Sequence, residues 1–441
     1  MRESFASSEV APPSGAVRLL WPDSARRGNS LADHLDRWGP VSFPGPGSQK
    51  DVVAALEESG LRGRGGAWFP AYRKWRAVSQ ARRRPVVVVN ASEGEPASLK
   101  DAVLLTRELH LVADGAMWAA STLGATKVVF FVPRRLAVSV TAALQERARA
   151  GMASVDAEVV EAPDGYLTGE ESAAVNFLNG GPTRSPTFTR LTPTYRRGVG
   201  GAPTLLHNAE TLAHAALIAR FGPAWYRSVG TRDSPGTTLL TVGGLSESPK
   251  VVEVATGTDL KTVLQKVGAD PSSIQGVLFG GYGGGWVAAP KAFDLCLDPE
   301  SLARAGAALG PGVVFLLQSS ACPVAQVAGL AQWMSAQSAG QCGPCRNGLA
   351  ALADELGTLA AGRAKKDSLE RVGHYCSLVA GRGACHHPDG VARMVTSALE
   401  AFSEDFRLHA RSRRCGAPTK LLLPTTYPSP QPVRRNRPGG I

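Results

Sequence analysis

Arg84-Pro-Val-Val-Val-Val-Asn90-Ala-Ser-Glu-Gly-Glu-Pro96 is the stretch from which the architecture can be worked out. Four consecutive valines, entered through a proline and left through a polar, glycine-containing loop, read as a strand buried on both faces. The residues downstream keep that rhythm. Helical spacing runs over about 101–123, followed by a strand Lys127-Val-Val-Phe-Phe-Val132, a helix over about 137–150 and a strand Ala157-Glu-Val-Val-Glu161. Strand–helix–strand alternation predicts a parallel, doubly wound, Rossmann-like α/β sheet. Such sheets take ligands beyond the carboxyl ends of their strands, so Asn90 to Pro96 reads as a binding loop.

Upstream, residues 51–59 have helical spacing and run into the glycine loop Gly60-Leu-Arg-Gly-Arg-Gly-Gly66. Residues 1–48 are rich in Pro, Gly and Ser and read as an N-terminal extension that wraps a neighbouring surface, with a short helix around 31–38. Beyond Gly236 the rhythm changes. Thr237-Thr-Leu-Leu-Thr-Val242, Val251-Val-Glu-Val254 and Gly276-Val-Leu-Phe279 are short strands, with one helix near 259–267 and a buried strand within the apolar stretch 310–317. After Cys322 four helical segments follow, over 324–337, 344–361, 366–380 and 388–409, which suggests an antiparallel bundle. The expected organisation is an extension at 1–48, an α/β domain at 49–233, a small α+β domain at 234–320, a helical domain at 321–411 and a disordered basic tail at 412–441.

The 441-residue chain is 44% apolar and 19% charged, a globular balance. Its net charge of +11 lies partly in short runs: Arg26–Arg27, Arg82–Arg83–Arg84, Arg411–Ser412–Arg413–Arg414 and Arg434–Arg435. Such runs are solvated faces and tails, or docking patches for acidic partners such as a small ferredoxin or anionic lipid. Zinc-finger spacing and basic helices with interleaved aromatics are absent, which speaks against nucleic acid. No signal peptide is visible, and no apolar run approaches the roughly 18 residues of a membrane span. Seven cysteines make an odd count for a disulfide scaffold, so a reducing cytoplasm is expected.

Cys342-Gly-Pro-Cys345 is a C-x2-C pair, with Cys385 forty residues beyond. Two thiolates at that spacing suit zinc, a redox dithiol or an iron–sulfur cluster. Zinc lacks its second close pair here, and a thioredoxin-type dithiol belongs in a small α/β fold rather than before a helix of a bundle. A cluster fits best.

Ser338-Ala-Gly-Gln-Cys-Gly-Pro-Cys-Arg-Asn-Gly348 resembles the cluster loop of the NADH-oxidising flavoprotein subunit of respiratory complex I and related diaphorase subunits, Ser-Cys-Gly-x-Cys-x-Pro-Cys-Arg-x-Gly. The resemblance covers about residues 50–410 in order. It implies a [4Fe–4S] cluster at Cys342, Cys345 and Cys385, with Ala339 standing where a fourth cysteine ligand is usual. Cys376, His386 and His387 are the local substitutes. An open iron site, a [3Fe–4S] cluster or loss of the cluster are the other outcomes.

The resemblance also implies FMN and NADH. Gly60 to Pro70 with Lys74 looks like the family's flavin and nicotinamide loop, placing Gly63, Arg64, Gly65, Gly66, Phe69 and Lys74 at the cofactors. Asn90, Ser92 and Glu93 match a flavin-holding segment, Ser92 replacing an Asp, and Glu95 matches a carboxylate beside the dinucleotide. Tyr166-Leu-Thr-Gly-Glu-Glu-Ser172 is similar to a third loop, contributing Tyr166, Gly169, Glu170 and Glu171. Pro203 to Thr211 is similar to a fourth, contributing His207, Asn208 and Thr211. Glu95 and Glu171 are the carboxylates assigned to the reaction, where they position the dinucleotide. Trp68 and Tyr72 stand where the family has glycines, and Ala77 where it has an aromatic. The module at 234–320, with Gly280-Gly-Tyr-Gly-Gly-Gly285, resembles the family's ubiquitin-like, SLBB-type domain, and its glycines read as tight turns.

The expected activity is oxidation of NADH by FMN, with single electrons passing to the cluster and on to a ferredoxin or another partner, the chain being one subunit of a larger complex. One rival is a catalytically degenerate paralogue serving as an electron relay or assembly scaffold. Another is a basic nucleic-acid-binding protein with structural zinc at Cys342 and Cys345.

Overall fold

Proline 85 sets the entry to β1 (Val86–Asn90), whose side chains are buried along its whole length. The computed structural model describes residues 15, 17–20, 30–44, 47–153, 155–186, 193–245, 248–411 and 414–427. β2 (Lys127–Pro133), β3 (Asp156–Ala162) and β4 (Thr204–Asn208) join β1 in a four-stranded sheet of order β3-β2-β1-β4, parallel throughout. The chain steps outward from β1 to β3, then returns to the far side of β1. The topological switch therefore falls between β1 and β4, whose last residues, Asn90 and Asn208, stand in register. A crevice opens at such a switch because the connections leave the two strands in opposite directions.

β4 departs from the sequence pattern, which reads Pro203 to Thr211 as a loop. Its five residues carry no run or alternation of their own, and pairing with β1 makes them a strand. The helix Ala209–Arg227 follows, its first turn capped by the Asn208 side chain, which accepts from Glu210 N at 3.1 Å. This helix crosses Leu109–Leu123 at Gly115, where a Cβ would overlap the Leu212 carbonyl. The single helix expected over 101–123 is two, Lys100–Arg107 and Leu109–Leu123, parted at Glu108 (φ −134°, ψ 37°). There the Glu108 carboxylate accepts from Arg37 Nη1 at 2.6 Å and Trp38 Nε1 at 3.3 Å. It thereby docks the helix Leu31–Trp38 onto the α/β core, with Trp38 fully buried. The Arg26–Arg27 run and residues 1–14 lie outside the described residues.

A second sheet has the order β6-β5-β9-β7-β8, from β5 (Thr237–Gly243), β6 (Lys250–Ala255), β7 (Ile274–Phe279), β8 (Gly285–Ala288) and β9 (Val313–Gln318). β5 and β9 are parallel neighbours at its centre and the other pairs are antiparallel. The helix Leu260–Val267 buries Leu260, Val263, Leu264 and Val267, the i, i+3, i+4, i+7 stripe of a core-facing helix. β8 is not marked in the sequence, and its antiparallel pairing with β7 makes it a strand.

The helical region comprises Pro323–Ala336, Leu349–Ala360, Ser368–Val379, His387–Ala401 and Ser403–Ala410. Two expected helices differ. The segment from Pro344 opens with a π-helical turn, Pro344–Gly348, before Leu349–Ala360 begins. The last helix is broken at Phe402 (φ −122°, ψ 36°). Among the described residues no helix is long and apolar enough to cross a membrane.

The disorder expected from residue 412 onward does not extend to 414–427. That segment runs along Pro323–Ala336: Gln326 Nε2 donates to Lys420 O at 2.7 Å, Leu422 N to Gln326 Oε1 at 2.7 Å and Trp333 Nε1 to Thr425 O at 3.0 Å. Side chains of the helix satisfy an extended backbone that has no partner strand, and Leu423 is buried there. Residues 412–413 and 428–441, with Arg434–Arg435, lie outside the described residues.

Candidate functional site

Beyond Asn90 and Asn208 opens a cavity of about 530 Å³, a volume suited to a cofactor. The four motif loops line it. Gly63, Gly65, Gly66, Phe69 and Lys74 come from the first, Asn90, Ser92, Glu93 and Glu95 from the second, Tyr166, Gly169, Glu170 and Glu171 from the third, and His207, Asn208 and Thr211 from the fourth. Arg64 is the exception among the residues expected at the flavin. Its backbone N–H reaches Thr211 Oγ1 at 2.9 Å, but its guanidinium turns behind the loop, donating to Tyr226 OH at 3.0 Å and Thr237 O at 3.1 Å.

The loops are tied to one another. Asn90 Nδ2 donates to Gly169 O at 2.9 Å, Ser92 Oγ to Asn90 Oδ1 at 2.8 Å, and Asn208 Nδ2 to Asn90 O at 3.1 Å. Gly94 lets the second and third loops meet backbone to backbone, since a Cβ there would lie 2.7 Å from Gly165 O and 2.8 Å from Tyr166 O. Glu93 has a positive φ of 47°, and its carboxylate serves as an anchor for the helix Lys100–Arg107. It accepts from Asp101 N at 2.9 Å, Ala102 N at 3.2 Å and Arg135 Nη2 at 3.1 Å.

The electrostatics separate the carboxyls. Burial, with Asp101 adding to it, pushes Glu93 up to about 7. Burial pushes Glu95 up to about 8, against a single hydrogen bond from Tyr282 N at 3.2 Å. At neutral pH Glu95 is mainly a neutral, proton-bearing group. Burial, helped by the Lys74 charge, pushes His207 down to about 3. Trp75 Nε1 donates to His207 Nε2 at 3.1 Å, so the neutral ring carries its proton on Nδ1. Lys74 pairs with Glu171, which also accepts from Thr194.

Lys100 and Asp101 line the cavity too, and the sequence reading missed them. Lys100 Nζ lies 2.7 Å from Asp101 Oδ1, 2.9 Å from Asn208 Oδ1 and 3.1 Å from Glu210 Oε2. Burial works against its charge, but Asp101 and Glu210 outweigh it and push Lys100 up to about 12. A lysine beside an aspartate at a helix start is ordinary in sequence, and only Glu210, far along the chain, marks it. The glycine run 280–285 was read as turns alone. It does make the β7–β8 hairpin, and Gly280 and Gly283 also line the cavity.

At its far end the cavity reaches Cys385, His386 and His387. Tyr166 stands between, its ring 5.3 Å from that of His387. Cys342 and Cys345 are buried and do not line the cavity, with Cys345 inside the π-helical turn, a distortion frequent at functional sites. Burial raises the Cys345 thiol, and Cys342 and Cys385 beside it raise it further. The fold thus gathers the C-x2-C pair and a cysteine that lies well beyond it in sequence.

Residues 56–216 match the family described as the Nuo51 FMN-binding domain, and residues 325–409 the NADH-ubiquinone oxidoreductase-F iron-sulfur binding region. The F-type subunit of NADH-quinone oxidoreductase from Mycobacterium tuberculosis (strain ATCC 25618 / H37Rv) is 30% identical over 387 residues, 83% of this chain and 86% of that one. The chain belongs to the family of NADH-quinone oxidoreductase F-type subunits. The F 2 form from Rhizobium meliloti (strain 1021) is 29% identical over 389 residues, covering 83% and 90%. Among solved structures, NAD+-reducing [NiFe]-hydrogenase in the air-oxidized state superposes with a TM-score of 0.75 at 30% identity, over 83% of this chain. This chain spans 64% of the hydrogenase chain it matches.

All four motif loops fall in the first matched region, and Cys342, Cys345 and Cys385 in the second. The donor set fits the family's FMN. Loop glycines bring backbone N–H groups to the cavity, Lys74 supplies positive charge for a phosphate, and His207 and Asn208 supply polar contacts. At Trp68, one departure of this NADH-quinone oxidoreductase relative from the family's pattern, the structure shows what holds the replacement. Trp68 has φ 51°, the backbone for which glycine is favoured, and its indole is held by Gly310 O at 2.9 Å and by Arg64 stacked 4.1 Å away. Trp68 also lines the cavity, narrowing the face beside Phe69.

The cluster fit turns on the place of Ala339. Cys376 is buried against Thr396 and does not line the cavity. His386 is exposed and faces Asp389 Oδ2 at 3.1 Å. His387 is buried, its Nε2–H donates to Met334 O at 2.9 Å, and its Nδ1 has no hydrogen-bond partner. Three thiols and this imidazole are a donor set suited to iron.

Proposed function

We propose that this chain oxidises NADH in the crevice between β1 and β4 and passes the electrons singly to a [4Fe–4S] cluster at Cys342, Cys345 and Cys385. One observation carries the reading: Cys385 lies on the wall of the same cavity that the four flavin-motif loops line. What a flavin supplies there is conversion between a two-electron hydride donor and a one-electron acceptor. Electrons crossing from crevice to bundle traverse a short span containing Tyr166 and His387. The residues do the positioning.

Backbone N–H groups of Gly65 and Gly66 face the phosphate side, with Lys74 as its charge, while the Gly63 N–H closes the loop on Phe69 O at 2.8 Å. Asn90, Ser92, Gly169, His207, Asn208 and Thr211 hold the flavin's polar edges. Phe69, 43% exposed at the mouth, offers an apolar face to the incoming dinucleotide. Glu95 donates a hydrogen bond in its neutral form and sets no negative charge beside a dinucleotide's phosphates. Glu171 fixes Lys74. Arg64 supports the glycine loop from behind. His387 Nδ1 completes the cluster's ligands in place of the missing cysteine.

The module 234–320 is a ubiquitin-like, SLBB-type bridge, a reading supported by its sheet order and by the parallel pair β5 and β9 at the centre. The chain works in the cytoplasm, as one subunit of a complex, peripheral to a membrane through a partner. A ferredoxin-like protein or another cluster-bearing subunit accepts the electrons. An absorption spectrum of anaerobically purified protein tests the core of this. Flavin bands and a broad iron–sulfur shoulder, both bleached by NADH, are expected. A spectrum that NADH leaves unchanged would overturn NADH oxidation by the isolated chain and return the relay reading.

A further inference from the structure

Three of the remaining cysteines and histidines meet far from the flavin loops in sequence and chemistry. Cys322 precedes the helix Pro323–Ala336, His409 lies on Ser403–Ala410, and Cys415 begins the C-terminal segment. Their ligand atoms all lie within 4.8 Å of one another. We infer that Cys322, His409 and Cys415 form a second metal site, distinct from the cluster cysteines, that takes one zinc-class ion and clamps the C-terminal segment to the helical region.

The distances suit one tetrahedral ion. Bonds of about 2.3 Å to sulfur and about 2.0 Å to nitrogen set those two atoms about 3.5 Å apart. Cys322 Sγ and His409 Nε2 are 3.6 Å apart. The histidine is already oriented for ligation, because its Nδ1–H donates to Leu359 O at 3.0 Å and leaves Nε2 as the lone pair facing the sulfurs. Cys322 Sγ accepts from Ala325 N at 3.4 Å, so its thiolate would sit at the N-terminus of a fourteen-residue helix. Cys322 and His409 are buried, and Cys415 is half-buried, which leaves room for water as a fourth ligand.

The ion's place explains the order of the segment beyond it. From Cys415 the chain is held by Cys322 N donating to Pro418 O at 3.3 Å, then by Gln326 and Trp333. At its end Tyr427 OH donates to Gly94 O at 3.1 Å, on the loop that lines the flavin cavity. Three ligands from three separated elements fix where this strap starts, and hence which residue reaches Gly94.

The test is metal content of the full chain, purified anaerobically without added chelator or affinity metal, in wild type, Cys415→Ser and Cys342→Ser. One zinc per chain is expected in wild type. Cys415→Ser should lose it while keeping iron, sulfide and flavin, and Cys342→Ser should keep it while losing iron. Cobalt taken up in its place should give thiolate-to-metal charge-transfer bands, a readout that stands if Cys415→Ser folds poorly. The site is overturned if wild type neither contains zinc nor binds an equivalent on titration. It is equally overturned if zinc survives Cys415→Ser, or if mass spectrometry finds Cys322 and Cys415 joined as a disulfide.

Discussion

The two ends of the cavity are held by different means. At the β1–β4 end, protein holds protein: Asn90, Ser92, Asn208 and Glu93 bond to one another's loops, and Lys100 sits among Asp101, Asn208 and Glu210. At the bundle end, Cys342, Cys345 and Cys385 gather with no comparable network among the described residues, and burial raises their thiols where a shift is resolved. The first end is preorganised by hydrogen bonds. On the proposed function, the second needs deprotonation and a metal to become ordered as a site. Damage at the bundle end should therefore leave flavin in place, while damage at the crevice should cost both fold and flavin.

Cys385→Ser probes the contrast most strongly. Iron content and NADH-driven reduction of a one-electron acceptor are expected to fall on the order of 100-fold, with bound flavin unchanged. Loss of flavin in that variant would erase the distinction between the two ends. At the crevice, Lys100→Met leaves Asp101 buried without its cation and Glu210 with Arg64 alone, 3.7 Å away, and should cost about 3–5 kcal/mol, read from denaturant unfolding. A stability change within experimental error would show that the charges are not buried together as described.

Gly94→Ala forces a Cβ against two carbonyl oxygens and should cost about 2–3 kcal/mol and release flavin, measured by melting temperature and flavin content. Retained flavin would mean that the second and third loops can part freely. Glu95→Gln is expected to act on the pH dependence and not on the packing of the crevice. The folded chain keeps a proton on Glu95 up to about 8, whereas the ordinary value is 4.5. Stability contributed by this group is thus full below 4.5, falls as pH rises between those values and is flat beyond. Glu95→Gln should remove that decline, and also the loss of NADH oxidation above about pH 8. Identical pH profiles in wild type and variant would show that Glu95 is ionised throughout.

Much of this was legible locally. The valine run of β1, the strands that became β2 and β3, the four glycine and carboxylate motifs and the C-x2-C pair each announce themselves within a dozen residues. Of the motif residues assigned to the cofactors, the reaction or the cluster, all but Arg64, Cys342 and Cys345 line one cavity. Arg64 was misplaced because a glycine loop says where its backbone approaches a ligand, not where an arginine within it turns. Here the buried Tyr226 hydroxyl and the Thr237 carbonyl claim the guanidinium. β4 was hidden because five residues without alternation are a strand only when β1 lies beside them.

The sequence by itself determined the doubly wound sheet, the family and most of the ligand-facing residue types, because period-two and period-3.6 patterns and tight glycine turns are short-range physics. Tertiary structure alone decided the rest. It set Asn90 against Asn208, gave Lys100 its distant partner Glu210, and laid residues 414–427 along Pro323–Ala336. It also brought Cys322, His409 and Cys415 within 4.8 Å. Each of these joins groups far apart along the chain, and what brings them together is burial and hydrogen-bond satisfaction across the whole fold, which no local pattern encodes.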